Sequence, residues 1–210
     1  MIFLIKNNRN KEFLVGLIFM VILIITLIYK FILGDYEKIF RIGLTFVTIC
    51  LTYLLYKKSF LKGCKIIYYI NLLFIFLSMY LASVWDFYSI PNYDKFLHLL
   101  SGAVIALIGY VLFIYLTTEN SRKEINSLTA VIFVVIFSTA MAGVWEMWEF
   151  TTDSLFGFQA QNNSLVDTMW DIICGSLVGI ITSIPIYMHS KGKKIKIINM
   201  IIKDIEKNKK

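Results

Sequence analysis

The sequence has little charge and no pattern of paired cysteines. Asp, Glu, Lys and Arg make up only 17% of its 210 residues, whereas a soluble domain carries about a quarter. Hydrophobic residues make up 58%, so the composition excludes an ordinary soluble domain. The three cysteines, Cys50, Cys64 and Cys174, have no CxxC or metal-ligand spacing. Their placement excludes a disulfide framework and favours cysteines that pack among apolar residues.

The sequence instead contains long apolar runs. Six of them approach or pass the roughly 20 residues that a helix needs to cross a bilayer. They cover residues 13–33, 39–56, 66–85, 93–116, 126–150 and 167–187. The sequence therefore predicts an all-α polytopic membrane protein, a bundle of six transmembrane helices. The first run is too long for a signal peptide and no small-x-small cleavage site follows it, so we expect it to remain as an anchor.

The basic residues are unevenly distributed among the loops. The N-terminal segment, the loops around residues 57–65 and 122–123, and the C-terminal tail hold 17 of the 21 Lys and Arg residues. The remaining four are Lys30, Lys38, Arg41 and Lys95. Because basic loops stay in the cytoplasm, both termini are expected there, in a bacterial plasma membrane. The net charge of +7 then reports topology and gives no indication of nucleic-acid binding.

The runs suggest three regions. Residues 1–92 are expected to form three transmembrane helices, residues 93–188 three more that carry the functional site, and residues 189–210 a basic cytoplasmic tail. In the tail Ile195, Ile198, Ile202 and Ile205 fall on one helical face. This spacing predicts a short amphipathic helix that lies on an anionic leaflet.

Acidic residues gather where three of the runs begin or end. Acids are expensive in a hydrophobic chain, so a cluster of them indicates a function. Asp94 and His98 are four residues apart, as are Asp167 and Asp171, so each pair shares a helix face. The predicted topology places all of these groups, and the four tryptophans that favour the membrane interface, at the outer boundary. The group consists of Asp94, His98, Glu146, Glu149, Asp153, Asp167 and Asp171.

Small residues continue the same faces toward the middle of the membrane. Gly102, Ala106 and Gly109 follow His98, Gly175 and Gly179 follow Asp171, and Ala140 and Gly143 precede Glu146. Small residues let transmembrane helices approach closely. The acid-bearing faces are therefore expected to meet one another.

Converging carboxylates need protons or cations, because like charges raise one another's pKa. One imidazole with oxygen ligands suits zinc or manganese, and oxygen alone suits magnesium. We expect one or two divalent metals held by members of the set Asp94, His98, Glu146, Glu149, Asp167 and Asp171, with Glu149 and Asp167 also candidates for a general base. Lys95 is another candidate partner for the acids. Two plainer interpretations remain open: Asp153 as a solvated helix end, and His98 as a structural histidine.

The motifs Tyr93-Asp94-Lys95-x-x-His98-x-x-x-Gly102, Glu146-x-x-Glu149 and Asp167-Thr168-x-x-Asp171 resemble the YjdF-like family of bacterial inner-membrane proteins, over about residues 93–181. The Asp-Lys-x-x-His piece is also distantly similar to the VanZ-like family. Members of the YjdF-like family carry a Gly-Thr-Gln-Gly stretch before the Asp-Thr motif. Here only Gln159 or Gln161 corresponds to it. The resemblance implies that the acid/His pattern belongs to a family, without implying an activity.

Three functions fit these patterns. The first is a metal-dependent hydrolase or transferase that acts on a lipid-linked or envelope substrate. The second is a cation- or proton-coupled transporter that uses the same acids, although the last three runs have few ionisable groups on their cytoplasmic halves. The third is a noncatalytic envelope-stress protein in which a metal clamps three helices.

Overall fold

The computed structural model describes residues 11–157 and 160–209, and that part of the chain is helical without strands. Six of its helices are long and apolar enough to cross a membrane. The predicted all-α membrane fold is therefore confirmed. The basic residues Lys6 and Arg9, and Gln159 of the loop motif, lie outside the described residues.

The chain folds into two compact units, residues 1–89 and residues 90–210. The first unit contains α1 (Lys11–Ile32), α2 (Tyr36–Lys58) and α3 (Lys65–Ile75), which continues as a π-helix over Phe76–Val84. Its core is rich in aromatic side chains. The hydroxyl groups of Thr26 and Tyr80 lie 2.9 Å apart inside it, so a residue of the wider π-helical turns supplies a polar link to α1.

The second unit contains α4 (Tyr93–Leu116), a short α5 (Glu119–Glu124), α6 (Ser127–Phe156), α7 (Leu165–Ser190) and α8 (Lys196–Lys209). Of the three long helices, α4 is the most buried, and it packs against α6, α7 and α8. The core of this unit therefore lies around α4. The predicted three-region division of the chain stays a prediction.

Two helices of the second unit differ from the sequence prediction because of local caps. Residues 119–124, expected to be a charged loop, form α5, since Thr118 accepts a hydrogen bond from the Ser121 backbone N–H at 3.1 Å. Helix α7 begins at Leu165 because the Ser164 side chain caps it by accepting from the Asp167 N–H at 3.3 Å. An N-cap of this kind supplies one of the acceptors that the first turn of a helix lacks.

The predicted tail helix is present as α8, but its buried face is not the expected one. Ile198, Ile201 and Ile205 are buried, whereas Ile195 and Ile202 are half-buried. The reason is that this face packs against α4 and α7, so packing within the protein determines which isoleucines are buried. The buried isoleucines are consequently not available to a leaflet.

Candidate functional site

The site is built on an unusually close approach of α4 and α7. A Cβ added at Gly102 would lie 2.2 Å from the carbonyl oxygen of Gly175, so only glycine fits there. Gly102 is one turn after His98, and Gly175 is one turn after Asp171. The glycine contact therefore brings the two helices near enough for short aspartate side chains on α7 to reach groups on α4.

Lys95 lies at the centre of the charges. Its Nζ donates to Asp167 Oδ1 at 2.6 Å and to Asp171 Oδ1 at 2.7 Å, and it lies 3.6 Å from Asp94 Oδ2. One ammonium on α4 thus joins two carboxylates on α7 and one on its own helix. We call Asp94, Lys95, His98, Asp167 and Asp171 the acid/His cluster.

His98, which lies one turn after Asp94 on α4, is the remaining member of the cluster. Its Nε2 lies 3.6 Å from Asp94 Oδ1 and 3.7 Å from Asp171 Oδ1. The Asp171 side chain is only 3% exposed, so this carboxylate depends on Lys95 and His98 for its interactions. Among the described residues, Asp94, His98 and Asp171 are the group whose ligand atoms all lie within 4.8 Å of one another.

The starts of α4 and α7 favour acids at these positions. Asp94 and Asp167 lie in the first turns of their helices, where the helix dipole stabilises negative charge. Asn92 precedes α4 with φ of 62°, a left-handed conformation that asparagine tolerates better than most residues. Asp167 also accepts from Asn162 Nδ2 at 2.8 Å, so it is held by the loop as well as by Lys95.

Helix α6 brings a further buried acid to the same end of the unit. Glu146 is 4% exposed, and it lies in electrostatic range of His98, Asp171 and Asp94. Gln161 Nε2 donates to its Oε2 at 3.3 Å and to its backbone oxygen at 3.1 Å. Its Oε1 has no hydrogen-bond partner among the described residues. Glu146 therefore has one buried oxygen to offer a ligand.

The other two acids of α6 have separate partners. Glu149 accepts from Trp145 Nε1 at 2.8 Å. Asp153 accepts from the backbone N–H groups of Ala160 and Gln161, both at 3.0 Å. Asp153 therefore anchors the α6–α7 loop, which is more than the solvated helix end expected from the sequence.

The face by which α6 joins its neighbours differs from the predicted one by one position at Gly143 and by two at Ala140. Nothing lies within 4 Å of a Cβ added at Gly143, and Ala140 is exposed. Ala142 and Ser138 make the contacts instead, opposite Gly175 and Gly179 respectively. They lie four and eight residues before Glu146, because side chains four apart form the ridge that packs into a neighbouring helix.

A cavity of about 810 Å³ opens between α6, α7 and the loop that joins them. Glu146, Asp153, Gln161 and Thr168 contribute polar groups to its wall. Phe150 and Ile172 are among the apolar residues that also line it. The cavity thus offers both polar and apolar groups to whatever enters it, and Glu146 is the lining residue that lies in electrostatic range of the acid/His cluster.

The structure brings together some of the predicted site residues and separates others. Asp94, His98 and Asp171 form one group, Asp167 joins it through Lys95, and Glu146 lies at the cavity. Glu149 is not part of the group. Two residues of the site, Lys95 and Gln161, had no defined role in the sequence prediction. The signal for Lys95 was its place beside Asp94 in the motif, and the signal for Gln161 was its match to the family glutamine.

The fold and the site define a polytopic membrane protein that carries an acid/His cluster at one end of its last three long helices. The chain belongs to the family described as predicted membrane protein (DUF2238), which it matches over residues 14–192. This membership is consistent with the YjdF-like resemblance. No curated protein and no solved structure matches the chain.

Proposed function

We propose that the acid/His cluster binds one divalent cation and that the protein uses it in hydrolysis or group transfer on a lipid-linked or envelope substrate. The observation that carries this proposal is the group formed by Asp94, His98 and Asp171, whose ligand atoms lie within 4.8 Å of one another. Ligand–metal distances of about 2.0–2.2 Å require ligand atoms roughly 3–4 Å apart. The separations of 3.6 and 3.7 Å from His98 Nε2 to the two carboxylates meet that requirement.

The charge balance supports a doubly charged ion. Asp94, Asp167 and Asp171 bring three negative charges to the single positive charge of Lys95. With His98 neutral, these residues keep two negative charges, which a divalent cation neutralises, and Glu146 adds a third when it is ionised. Zinc, manganese and magnesium are the candidates that suit oxygen ligands with at most one imidazole.

Each residue of the site has a different role in the proposed reaction. A bound divalent cation supplies Lewis-acid polarisation of a phosphoryl or acyl oxygen and acidifies water. Asp167 and Lys95 hold Asp171 in position, and Glu146, whose buried Oε1 has no hydrogen-bond partner among the described residues, is the candidate to accept a proton. Glu149 remains a candidate for that role. The mixed wall of the cavity suits a substrate with a polar head and an apolar tail.

The location of the site follows from the distribution of basic residues. We infer that the protein lies in a bacterial plasma membrane with both termini in the cytoplasm, since 17 of its 21 Lys and Arg residues fall on that side of the proposed topology. The acid/His cluster then faces outward. A kinship with the VanZ-like family stays a prediction.

Metal content tests the proposal. The protein is purified in mild detergent without chelator, and bound metal is measured by plasma mass spectrometry for wild type, His98→Ala and Asp171→Asn. Asp86→Asn, which removes a carboxylate of the first unit, is the matched control. We expect about one ion per chain in wild type and control, and none in the two site variants. A metal-free wild type that also fails to take up zinc, manganese or magnesium would contradict the metal site and favour proton-coupled chemistry.

A further inference from the structure

A second candidate site lies at the other end of the same unit, where α4 and α7 end and α5 and α8 lie across them. Helix α4 runs from the acid/His cluster at Asp94 to Leu116. Helix α8 packs against α4 and α7 through Ile198, Ile201 and Ile205. This end of the unit is therefore a built structure whose apolar face is already occupied, so the polar face of α8 is turned outward.

Arg122 of α5 holds this end together. Its Nη1 donates to the backbone oxygens of Thr117 at 3.0 Å and of Ile114 at 3.3 Å. Its Nη2 forms an ion pair with Glu206 of α8. The guanidinium group consequently caps the end of α4 and ties α8 to it, which fixes the positions of the basic residues nearby.

Two cavities share this arginine. The smaller, of about 520 Å³, has apolar walls that include Tyr110, Phe113, Ala130 and Ile186 from the long helices. The larger, of about 760 Å³, is lined by Lys203 and Lys207 of α8 together with Thr118 and Asn199. Glu119, Arg122, His189, Ile202 and Glu206 line both. The apolar residues of the long helices thus lie in a cavity that is continuous, through shared polar residues, with one that is lined by lysines.

The basic part has positive charge that the protein does not neutralise. Glu206 pairs with Arg122, and Glu119 pairs with Lys123 at 2.9 Å, a hydrogen bond that lowers the pKa of the Glu119 carboxyl. Lys203 and Lys207 are exposed, and within the described part of the chain neither makes an ion pair. Two ammonium groups on successive turns of α8 are left to bind an anion.

We propose that this region binds an anionic phospholipid, with its phosphate at Lys203 and Lys207 and an acyl chain in the smaller cavity. Basic pockets at the ends of transmembrane helices suit anionic head groups. The apolar walls distinguish a phospholipid from a free phosphate ion, since an ion has no use for Tyr110, Phe113 and Ile186. The proposal does not depend on a metal at the other end.

Lipid binding by the whole protein tests this inference. The protein in mild detergent is titrated with phosphatidylglycerol and with phosphatidylcholine of the same acyl chains, and bound lipid is counted by native mass spectrometry. Wild type should prefer phosphatidylglycerol, and Lys203→Gln with Lys207→Gln should weaken its binding roughly fivefold per lysine, the equivalent of about 1 kcal/mol each. Lys58→Gln with Lys62→Gln removes the same charge from exposed lysines of the first unit and should leave the preference unchanged.

Three results would overturn the proposal. One is equal binding of the two lipids by wild type. Another is a loss of preference in the control that matches the loss in the α8 variant, because that would indicate a general effect of net charge. The third is full displacement of phosphatidylglycerol by inorganic phosphate, which would make the ligand a free anion. Circular dichroism of both double variants checks that the helices remain folded.

Discussion

The carboxylates of the two units differ in how they are paired with cations. In the first unit the four acids are each paired with a cation of their own: Glu12 with Lys65, Asp35 with Lys30, Glu37 with Arg41 and Asp86 with Lys38. In the second unit Asp94, Asp167 and Asp171 share Lys95. One-to-one pairs need nothing further, whereas the shared arrangement is short of positive charge.

Burial alone does not separate the units, because the side chains of Glu12 in the first unit and Asp171 in the second are both 3% exposed. Asp86 of the first unit has a side chain that is 65% exposed, so water can solvate it when its partner is absent. The Asp171 side chain is 3% exposed and depends on Lys95, His98 or a bound cation. The second unit is therefore distinguished by three carboxylates that share one ammonium group, and not by burial alone.

Removing the shared lysine should have the largest effect. Lys95→Met leaves Asp171 buried without its ammonium partner, which we expect to cost about 3–5 kcal/mol in the free energy of unfolding. Lys38→Met in the first unit should cost about 1 kcal/mol, since an exposed partner contributes little. Unfolding in mild detergent with chelator present, followed by circular dichroism, measures both values. Equal losses in the two variants would contradict the contrast between the units.

Adding a divalent metal to the same samples sharpens this comparison. If the acid/His cluster binds a cation, zinc or manganese should restore part of the stability lost in Lys95→Met, because a ligand that binds only the folded state stabilises it. Lys38→Met should not respond. A metal effect of the same size in both variants would indicate nonspecific binding.

A smaller effect is expected from the helix contact beneath the cluster. Gly102→Ala places a Cβ against the Gly175 carbonyl oxygen, at 2.2 Å in the present geometry, so α4 and α7 must move apart. We expect a loss of about 3 kcal/mol, at the upper end of overpacking costs, together with weaker metal binding. Gly43→Ala in α2 is the matched control, because nothing lies within 4 Å of its added Cβ. A Gly102→Ala variant as stable as this control would show that the contact is not tight.

The fold and part of the site could be predicted from the sequence because they depend on local patterns. The length of the apolar runs defined the helices. The four-residue spacing placed His98 on the same helix face as Gly102, and Asp171 on the same face as Gly175. The position of Lys95 could not be predicted in this way. Its ammonium reaches carboxylates on a helix more than 70 residues away in sequence, and that depends on how α4 and α7 are rotated about their axes.

Two details of the sequence prediction were wrong for the same reason, the rotation of helices about their axes. Gly143 was expected at the contact face of α6, but Ala142 is there. Ile202 was expected on the apolar face that α8 turns to a leaflet, whereas Ile201 lies on the face that is buried against the protein. Each error is one position, equivalent to about a quarter turn of a helix. Helix rotation is decided by packing against neighbours, and an amphipathic pattern alone does not define it to that accuracy.

The smallest predicted effect concerns two buried glutamates, one in each unit. Their replacement should change the free energy of unfolding in opposite directions. Glu12 is 2% exposed and Glu146 is 4% exposed, but Glu12 pairs with Lys65 at 2.8 Å, whereas Glu146 Oε1 has no partner among the described residues. Glu12→Gln should therefore destabilise the protein by about 1 kcal/mol, because it removes a charge-assisted hydrogen bond. Glu146→Gln should stabilise the metal-free protein by a similar amount, because a buried carboxylate oxygen without a hydrogen bond is costly. Unfolding in chelator measures both, and a loss of stability in Glu146→Gln would mean that its carboxylate is satisfied within the protein and is not held ready for a ligand.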